Sequence, residues 1–210
     1  DLSFLHGRYP NIPIIALTAT ADVGTREQIC HKIFSDKVTT YLSGFDRPNI
    51  KLNVEIKNGW KQQLLKFMKD RPKENGIVYC LSRKKTEEAA KLLVEAGFHA
   101  LSYHAGMPGG EREKNLNQFM AEPDLIMVAT IAFGMGIDKP DIRFVFHTDL
   151  PGSPEAYYQE IGRAGRDGEK ASAHMLYGLD DIRMRRMFIE NENADEIHKR
   201  RGHQRLNALL

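Results

Sequence analysis

The sequence predicts an α/β fold: a mostly parallel sheet with helices packed on its faces. Short runs rich in Ile, Val and Leu alternate along the chain with longer stretches of helical period. The 210 residues, 41% of them hydrophobic and 28% charged, suffice for one well-formed core and are too few for two mid-sized domains. We therefore expect one α/β unit in which right-handed crossovers join successive parallel strands.

Seven segments are predicted as strands and seven as helices. The predicted strands lie at about 12–18, 50–56, 76–81, 99–103, 125–129, 143–147 and 172–178. The predicted helices lie at about 22–34, 60–70, 84–96, 110–121, 155–165, 180–190 and 195–209. Residues 44–49 have turn chemistry and separate the first strand–helix pair from the rest, so we expect an interdomain junction there.

Charge and composition exclude several classes of protein. The 30 basic and 28 acidic residues leave a net charge of +2, so any DNA contact must come from a local arrangement of basic groups. No apolar run approaches the roughly 18 residues of a membrane span, and the first residues lack the plan of a secretory signal. We expect a cytoplasmic protein if the source is bacterial and a nuclear one if it is eukaryotic. Cys30 and Cys80 have no metal-ligand spacing, so no metal site is expected in this chain and both thiols are expected to be buried.

Ligands of an open parallel sheet bind outside the carboxyl ends of the strands, so functional residues are sought just after each strand. Ser82 and Arg83 follow one strand at the start of a helix, where unpaired N–H groups and partial positive charge suit a backbone phosphate. The alternative is that Ser82 only caps the helix and Arg83 is solvated.

Two further loops carry polar and small residues. His104 begins a glycine-rich loop that another backbone could approach closely, and its ring could donate to a phosphate, although an isolated histidine is more often structural. Thr130 begins a loop that contains Gly134 and Gly136 and places the carboxylate of Asp138 at its tip. Such a loop could fold tightly against a ligand.

The strongest signal is a glycine-spaced helix with two arginines. Gln159, Arg163 and Arg166 occupy positions i, i+4 and i+7, which would project them from one helix face. Gly162 and Gly165 each cost about 1 kcal/mol inside a helix, which indicates that a nucleotide or another domain approaches closely. Two guanidinium groups in a cleft suit the charge of a phosphoryl-transfer transition state. The alternative is a solvated basic face that pairs with nearby carboxylates, namely Glu155, Glu160 and Asp167.

In this order, the segments resemble the motifs of superfamily 2 helicases and most closely those of the RecQ family. The run Gly-Met-Gly-Ile-Asp-Lys-Pro at 134–140 is the most specific part of the resemblance. The similar segments are 16–22 for the third motif, 76–83 for the fourth, 103–106 for the segment after it, 128–141 for the fifth and 159–168 for the sixth. The resemblance implies a RecA-like three-layer sandwich, the second motor lobe of an ATP-dependent 3′-to-5′ DNA helicase of DNA repair and recombination.

The resemblance also implies roles for the residues of the nucleotide side. Arg166 would be the arginine finger that reaches the γ-phosphate of ATP bound by the first lobe, and Arg163 would order the same face. Gln159 and Gly136 would lie beside the nucleotide, and Asp138 would line the cleft near the ribose or the second arginine.

On the DNA side, the resemblance implies that four residues bind phosphates of a single strand without reading its bases. These are Ser82, Arg83, His104 and Thr130. The charged helix at 195–209 resembles one that precedes a zinc-binding module in RecQ enzymes, so Zn²⁺ is expected in that module and not in this chain. The basic stretch 198–203 either touches DNA or is a solvated helix face.

The sequence lacks both the Gly-x-x-x-x-Gly-Lys-Ser/Thr phosphate loop and an Asp-Glu-Ala-His motif. ATP and Mg²⁺ would therefore be held mainly by the first lobe, and this chain alone is expected to be inactive as an ATPase. The expected organisation is the end of the first lobe with its linker at 1–43, the second lobe at 44–180 and a helical extension at 181–210. The alternatives are an RNA helicase or translocase of the same superfamily, and a nucleic-acid-binding or scaffolding module without motor activity.

Overall fold

A computed structural model describes residues 2, 4–18, 23–34, 38–42, 46–134, 137–191 and 196–209. Contacts within the chain divide it into two units, Asp1–Asp46 and Arg47–Leu210. The first unit contains the helices α1 (Leu5–Arg8) and α2 (Val23–Phe34).

The strand predicted at 12–18 is wrong. These residues form no strand, and Ile12, Ile15 and Leu17 are 58%, 79% and 84% exposed. A strand needs a neighbour to complete its backbone hydrogen bonds, and the described residues of this unit contain no other strand. The strand was predicted from the apolar run alone, but a strand also needs a partner strand from elsewhere in the chain to complete its hydrogen bonds.

The second unit is a six-stranded parallel sheet with helices on both faces, which confirms the predicted fold class. The strands are β1 (Ile50–Ile56), β2 (Asn75–Tyr79), β3 (His99–Tyr103), β4 (Leu125–Ala129), β5 (Ile142–His147) and β6 (Ala171–Tyr177). The helices are α3 (Trp60–Met68), α4 (Arg83–Glu95), α5 (Gly109–Ala121), α6 (Pro154–Ile161), α7 (Leu179–Asn191) and α8 (Glu196–Leu209). All six strands and five of these six helices lie within two residues of their predicted bounds.

Two hydrophobic cores lie on opposite faces of the sheet. In β4, Leu125, Met127 and Ala129 belong to the core that includes Phe119 of α5. The alternate residues of β4 belong to the other core, which is formed with α3 and α4. Because all five residues of β4 are buried, the strand is a continuous apolar run in the sequence, as is typical of a parallel sheet covered on both faces.

The strand order, β1-β6-β5-β2-β4-β3, defines where a ligand would bind. After β2 the chain passes through α4 to β3 at one edge of the sheet, and after β5 it passes through α6 toward β6 on the other side. Connections therefore diverge at the carboxyl ends of the neighbouring strands β2 and β5. In open α/β sheets, the crevice at such a point is the usual ligand site.

Candidate nucleotide and DNA-binding site

Arg166, the predicted arginine finger, and Arg163, predicted to order the same face, lie on a loop and not on a helix. We call residues 162–168 the arginine loop; it follows α6, which ends at Ile161. Gly165 has a φ of +56°, and a Cβ on it would lie 2.5 Å from Asn49 Nδ2. The prediction of one helical stripe that contains both arginines is therefore wrong, because α6 ends before Arg163 and the left-handed backbone of Gly165 excludes a helix between the two arginines.

Two residues that had no predicted role hold the arginine loop. The guanidinium of Arg47 donates to the carbonyls of Gly162, Ala164 and Gly165 at 3.3, 2.9 and 2.9 Å. Asn49 Nδ2 donates to the carbonyls of Gly165 and Glu169, both at 2.9 Å. The local sequence gives one weak signal of this role: Arg47 and Asn49, whose side chains each carry several N–H donors, lie just before a strand.

Arg163 turns toward its own lobe and joins two loops. Its guanidinium donates to the carbonyl of Gly134, and a Cβ on Gly134 would lie 2.8 Å from Arg163 Nη2. Beside it, the Tyr79 hydroxyl donates to the carbonyl of Phe133 at 3.0 Å. Burial raises the pKa of the Tyr79 phenol, although Arg163 opposes the shift, so the phenol stays a neutral donor. Arg163 therefore links the arginine loop to the loop after β4.

Arg166 forms an ion pair at the surface of the lobe. Its Nη1 donates to Asp138 Oδ1 at 2.7 Å and to the carbonyl of Ile137 at 2.8 Å. The side chains of Arg166 and Asp138 are 36% and 86% exposed, so solvent and ligands can reach the pair. Gly136, predicted to contact the nucleotide with Asp138, lies outside the described residues.

The structure assigns other partners to two of the carboxylates that were considered for the arginines. Glu160 Oε2 lies 2.7 Å from His147 Nε2 in the core. Asp167 accepts a bond of 2.5 Å from Arg143. Gln159 is exposed and belongs to α6, whereas the two arginines lie on the loop that follows this helix.

Ser82 and Arg83 lie at the amino terminus of α4. We call residues 81–85 the phosphate turn. Ser82 is the N-cap of α4, and its Oγ accepts a bond of 3.2 Å from the backbone N–H of Lys85, which confirms that it caps the helix. Both Ser82 and Arg83 are exposed, so the helix end is open to a ligand. Arg83 packs over Gly106, where a Cβ would lie 3.0 Å from Arg83 Cδ.

His104 and Thr130 lie at the ends of the next two strands of the sheet. His104 is 4% exposed, its Nε2 lies 3.0 Å from Glu87 Oε1, and its Nδ1 has no hydrogen-bond partner among the described residues. The backbone N–H of Thr130 donates to the carbonyl of Tyr103 at 3.2 Å. The structure thus brings Ser82, Arg83, His104 and Thr130 to the carboxyl ends of the adjacent strands β2, β4 and β3.

The two cysteines differ in burial, and the described residues offer no metal site. Cys80 is buried, as predicted, and burial raises the pKa of its thiol to about 12; Cys30 is only partly buried, so the prediction for it is wrong. Across the described ranges, no three or more His, Cys, Asp or Glu side chains are grouped to hold a metal ion. Within those same ranges, no helix is both long enough and apolar enough to span a bilayer.

A family model identifies the class of protein that this fold and site define. The helicase conserved C-terminal domain matches residues 60–168, more than half of the chain, including the phosphate turn and the whole arginine loop. The chain belongs to this family.

Individual relatives narrow the assignment to the RecQ type. The chain is 45% identical to the ATP-dependent DNA helicase RecQ of Haemophilus influenzae, over 84% of this chain and 29% of that protein. It is 40% identical to the ATP-dependent DNA helicase hus2/rqh1 of Schizosaccharomyces pombe, over 100% of this chain and 16% of that protein. A crystal structure of a DEAD box protein from Methanococcus jannaschii matches with a TM-score of 0.55 and 28% identity, over 69% of this chain and 41% of that one. The chain thus spans less than a third of these two curated relatives.

Proposed function

We propose that this chain is the C-terminal motor lobe of an ATP-dependent helicase that unwinds duplex DNA with 3′-to-5′ polarity. One observation carries the proposal: a single lobe bears an exposed guanidinium, Arg166, on the loop before β6, and an exposed helix amino terminus with Ser82 and Arg83 after β2. Both features suit phosphate groups, one of a nucleotide and one of a nucleic-acid backbone. A motor needs the two together, because it must couple the hydrolysis of one phosphate to movement along others.

On the nucleotide side, Arg166 would leave Asp138 and reach the γ-phosphate of ATP held by the first RecA-like lobe. An exposed ion pair is worth at most about 1 kcal/mol, so the exchange of a carboxylate for a phosphate costs little. Such an arginine accelerates phosphoryl transfer by about 10³–10⁵. Asp138 would then be free to line the cleft, and Gln159 and Gly136 would lie beside the nucleotide.

Arg163 would transmit the state of the nucleotide. Its bond to the carbonyl of Gly134 ties the arginine loop to the loop that begins at Thr130. A shift of the arginine loop on ATP binding would therefore move a proposed DNA contact. We propose that ATP closes the two lobes and that hydrolysis reopens them, which advances the DNA-binding loops by one step per cycle.

On the DNA side, Ser82, Arg83, His104 and Thr130 would bind successive phosphates of one strand. The N–H groups at the exposed start of α4 are the donors for this role. Phosphate contacts carry no base sequence, which suits a translocating enzyme, and they make affinity fall with salt.

The same proposal covers the cofactors and the organisation of the complete enzyme. ATP and Mg²⁺ would be held mainly by the first lobe, so that this chain alone does not hydrolyse ATP. Residues 1–43 would be the end of that first lobe with its linker, 44–180 the second lobe and 181–210 an extension toward a zinc-binding module; that module and its zinc rest on the resemblance alone.

Strand displacement by a complete enzyme that carries both lobes tests the proposal. Matched DNA and RNA duplexes with either a 3′ or a 5′ single-stranded tail would be incubated with and without ATP. We expect ATP-dependent separation of the 3′-tailed DNA duplex. Separation of RNA in preference to DNA would make the protein an RNA helicase, and tight DNA binding without ATP-dependent separation of any duplex would make it a passive binding module.

A further inference from the structure

A buried ionic cluster lies at the carboxyl ends of β1, β2, β5 and β6. Asp149 Oδ1 accepts bonds from Lys57 Nζ at 2.9 Å and from Lys85 Nζ at 2.6 Å. Lys57 also donates to Asp181. The side chains of Asp149 and Asp181 are 8% and 6% exposed, and each lysine is 17% exposed. None of these four residues has a role in the function proposed above.

Asp149 also holds the phosphate turn directly. Its Oδ2 accepts a bond of 3.0 Å from the backbone N–H of Leu81, the residue before Ser82. Lys85, bound to Oδ1, donates its own backbone N–H to Ser82 Oγ at 3.2 Å. One carboxylate therefore fixes both ends of the five-residue segment that presents Ser82 and Arg83.

The location of the cluster favours a role beyond stability. Asp149 follows β5 and Leu81 follows β2, so their bond bridges the point where the chain connections diverge. Buried ion pairs often contribute no more to stability than apolar residues of similar volume would. Burial opposes ionisation of Asp149, but Lys85 and Lys57 outweigh it and hold the pKa of the carboxyl below its ordinary value. The carboxylate is thus a charged, fully bonded anchor at neutral pH.

We propose that Asp149 is the residue that positions Ser82 and Arg83 to bind a DNA phosphate, acting through Leu81 and Lys85 without touching DNA. The inference rests on the proposed DNA contacts of the phosphate turn. It makes a prediction opposite in sign to that of simple electrostatics. Removal of a negative charge beside a DNA-binding edge, with release of Lys85, should tighten DNA binding by charge alone, whereas loss of a positioning residue should weaken it.

The test measures affinity of the complete two-lobed helicase for a fluorescein-labelled oligothymidine by fluorescence anisotropy over a range of salt. Asp149→Asn should weaken binding about tenfold, as expected for loss of one charge-assisted phosphate contact, and lower the slope of log affinity on log salt by about one. Asp181→Asn is the matched control: it alters a buried carboxylate of the same cluster that bonds Lys57 and the N–H of Gly178 but not α4. We expect it to change affinity less than about twofold. Unchanged or tighter binding by Asp149→Asn would overturn the inference, as would an equal loss in the control.

A double-mutant cycle with Arg83→Ala separates this inference from the proposed function. If Asp149 acts through Arg83, Asp149→Asn should cost less than about threefold in the Arg83→Ala background. An Arg83→Ala variant with wild-type affinity and salt slope would contradict the proposed DNA contact itself. Weaker binding by Arg83→Ala together with an additive or absent effect of Asp149→Asn would contradict only the positioning role. If thermal denaturation shows that Asp149→Asn does not fold, Lys85→Met removes the same link from the α4 side. Because Lys85→Met also removes a positive charge, its readout is the double-mutant cycle: its cost should fall below about threefold in the Arg83→Ala background, and an additive cost would contradict the positioning role.

Discussion

The arginine loop and the phosphate turn lie at opposite ends of the second unit's sheet, and they are held in different ways. The arginine loop precedes β6 and bonds to Ile142, the first residue of β5, whereas the phosphate turn follows β2. The arginine loop has no regular structure, and side-chain donors from Arg47 and Asn49 fix its backbone carbonyls. Its exposed arginine, Arg166, is paired with a carboxylate at the surface. The phosphate turn begins a helix, and a buried carboxylate, that of Asp149, anchors it.

If the protein works by the proposed cycle of lobe closure, the difference indicates which region would rearrange. The Arg166–Asp138 pair is exposed and can be exchanged for another anion at low cost, at most about 1 kcal/mol. Removal of one partner from a buried pair such as Lys85–Asp149 costs about 3–5 kcal/mol, so that bond should persist through the cycle. We infer that the DNA grip is preorganised and that the nucleotide side carries the rearrangement.

The largest expected effect comes from Arg166→Ala in the complete enzyme. ATP turnover should fall by about 10³ or more, because the guanidinium would act only on the transition state, while affinity for a non-hydrolysable ATP analogue should stay within a few fold. Steady-state ATPase kinetics and analogue binding measure the two quantities. Arg186→Ala, which removes an exposed arginine on α7, is the matched control and should leave turnover unchanged. Normal turnover by Arg166→Ala would remove Arg166 from its proposed role.

The next effect is expected from Arg47→Ala, which removes the three bonds to the arginine loop. Turnover should fall about 10- to 100-fold, since a small misplacement of a catalytic group costs about that much, and affinity for single-stranded DNA should change little. Arg47→Lys should restore little of the ATP turnover, because one ammonium group cannot reproduce the planar fork of donors of a guanidinium. An equal loss of DNA affinity would show that the two regions are not held independently.

Local sequence predicts the framework well, and it also predicts where the proposed phosphate-binding residues lie. Strands such as β4 are continuous buried runs, and ligands collect at the carboxyl ends of parallel strands, so the sequence alone predicts that Ser82, His104 and Thr130 share one edge of the sheet. That rule needs only the order of strand and loop, which the sequence supplies.

Features that depend on distant residues could not be predicted in this way. Arg47 contacts the arginine loop across 115 to 118 residues of chain, and no local pattern reports such a contact. The helical spacing of Arg163 and Arg166 favoured a helix, but α6 ends at Ile161 and the carbonyls that follow it bond to the distant Arg47. The failed strand at 12–18 has the same cause, because its apolar residues predict burial and cannot supply a partner strand.

A smaller effect is expected from replacing Ser82, which can be compared with Ser153, a helix cap of the same geometry. Ser82 Oγ accepts from Lys85 N at the start of α4, and Ser153 Oγ accepts from Ala156 N at the start of α6, both at 3.2 Å. Either serine-to-alanine change should cost about 1 kcal/mol in the free energy of unfolding, measured by urea denaturation. Only Ser82→Ala should weaken binding of single-stranded DNA, by roughly threefold to tenfold if one hydrogen bond to phosphate is lost. Equal DNA affinities of the two variants would show that Ser82 only caps the helix and does not bind DNA.

The smallest effect is on stability and involves neither region. His174 of β6 stacks on Phe146 with ring centroids 5.0 Å apart, and its Nε2 lies 3.1 Å from Glu55 Oε2. Burial lowers the pKa of His174, although Glu55 opposes the shift and Arg71 adds to it. The pKa of His174 is thus lower in the folded chain than in the unfolded chain, so protonation favours the unfolded chain. The unfolding free energy should therefore fall as the pH drops below the ordinary histidine pKa of about 6.5.

Urea denaturation between neutral and mildly acidic pH measures this dependence, which cannot exceed about 1.4 kcal/mol per pH unit for one proton. His174→Gln should reduce the slope while keeping a polar side chain beside Asn53, whose Nδ2 lies 2.9 Å from His174 Nδ1. Because the hydrogen bonds described for His174 go to Asn53 and Glu55, which belong to neither region, ATP turnover and DNA affinity measured on folded protein should not follow its titration. If the unfolding free energy of His174→Gln still depends on pH in the same way, another group binds the proton. If DNA affinity falls with pH while ATP turnover does not, the titrating group acts on the phosphate turn.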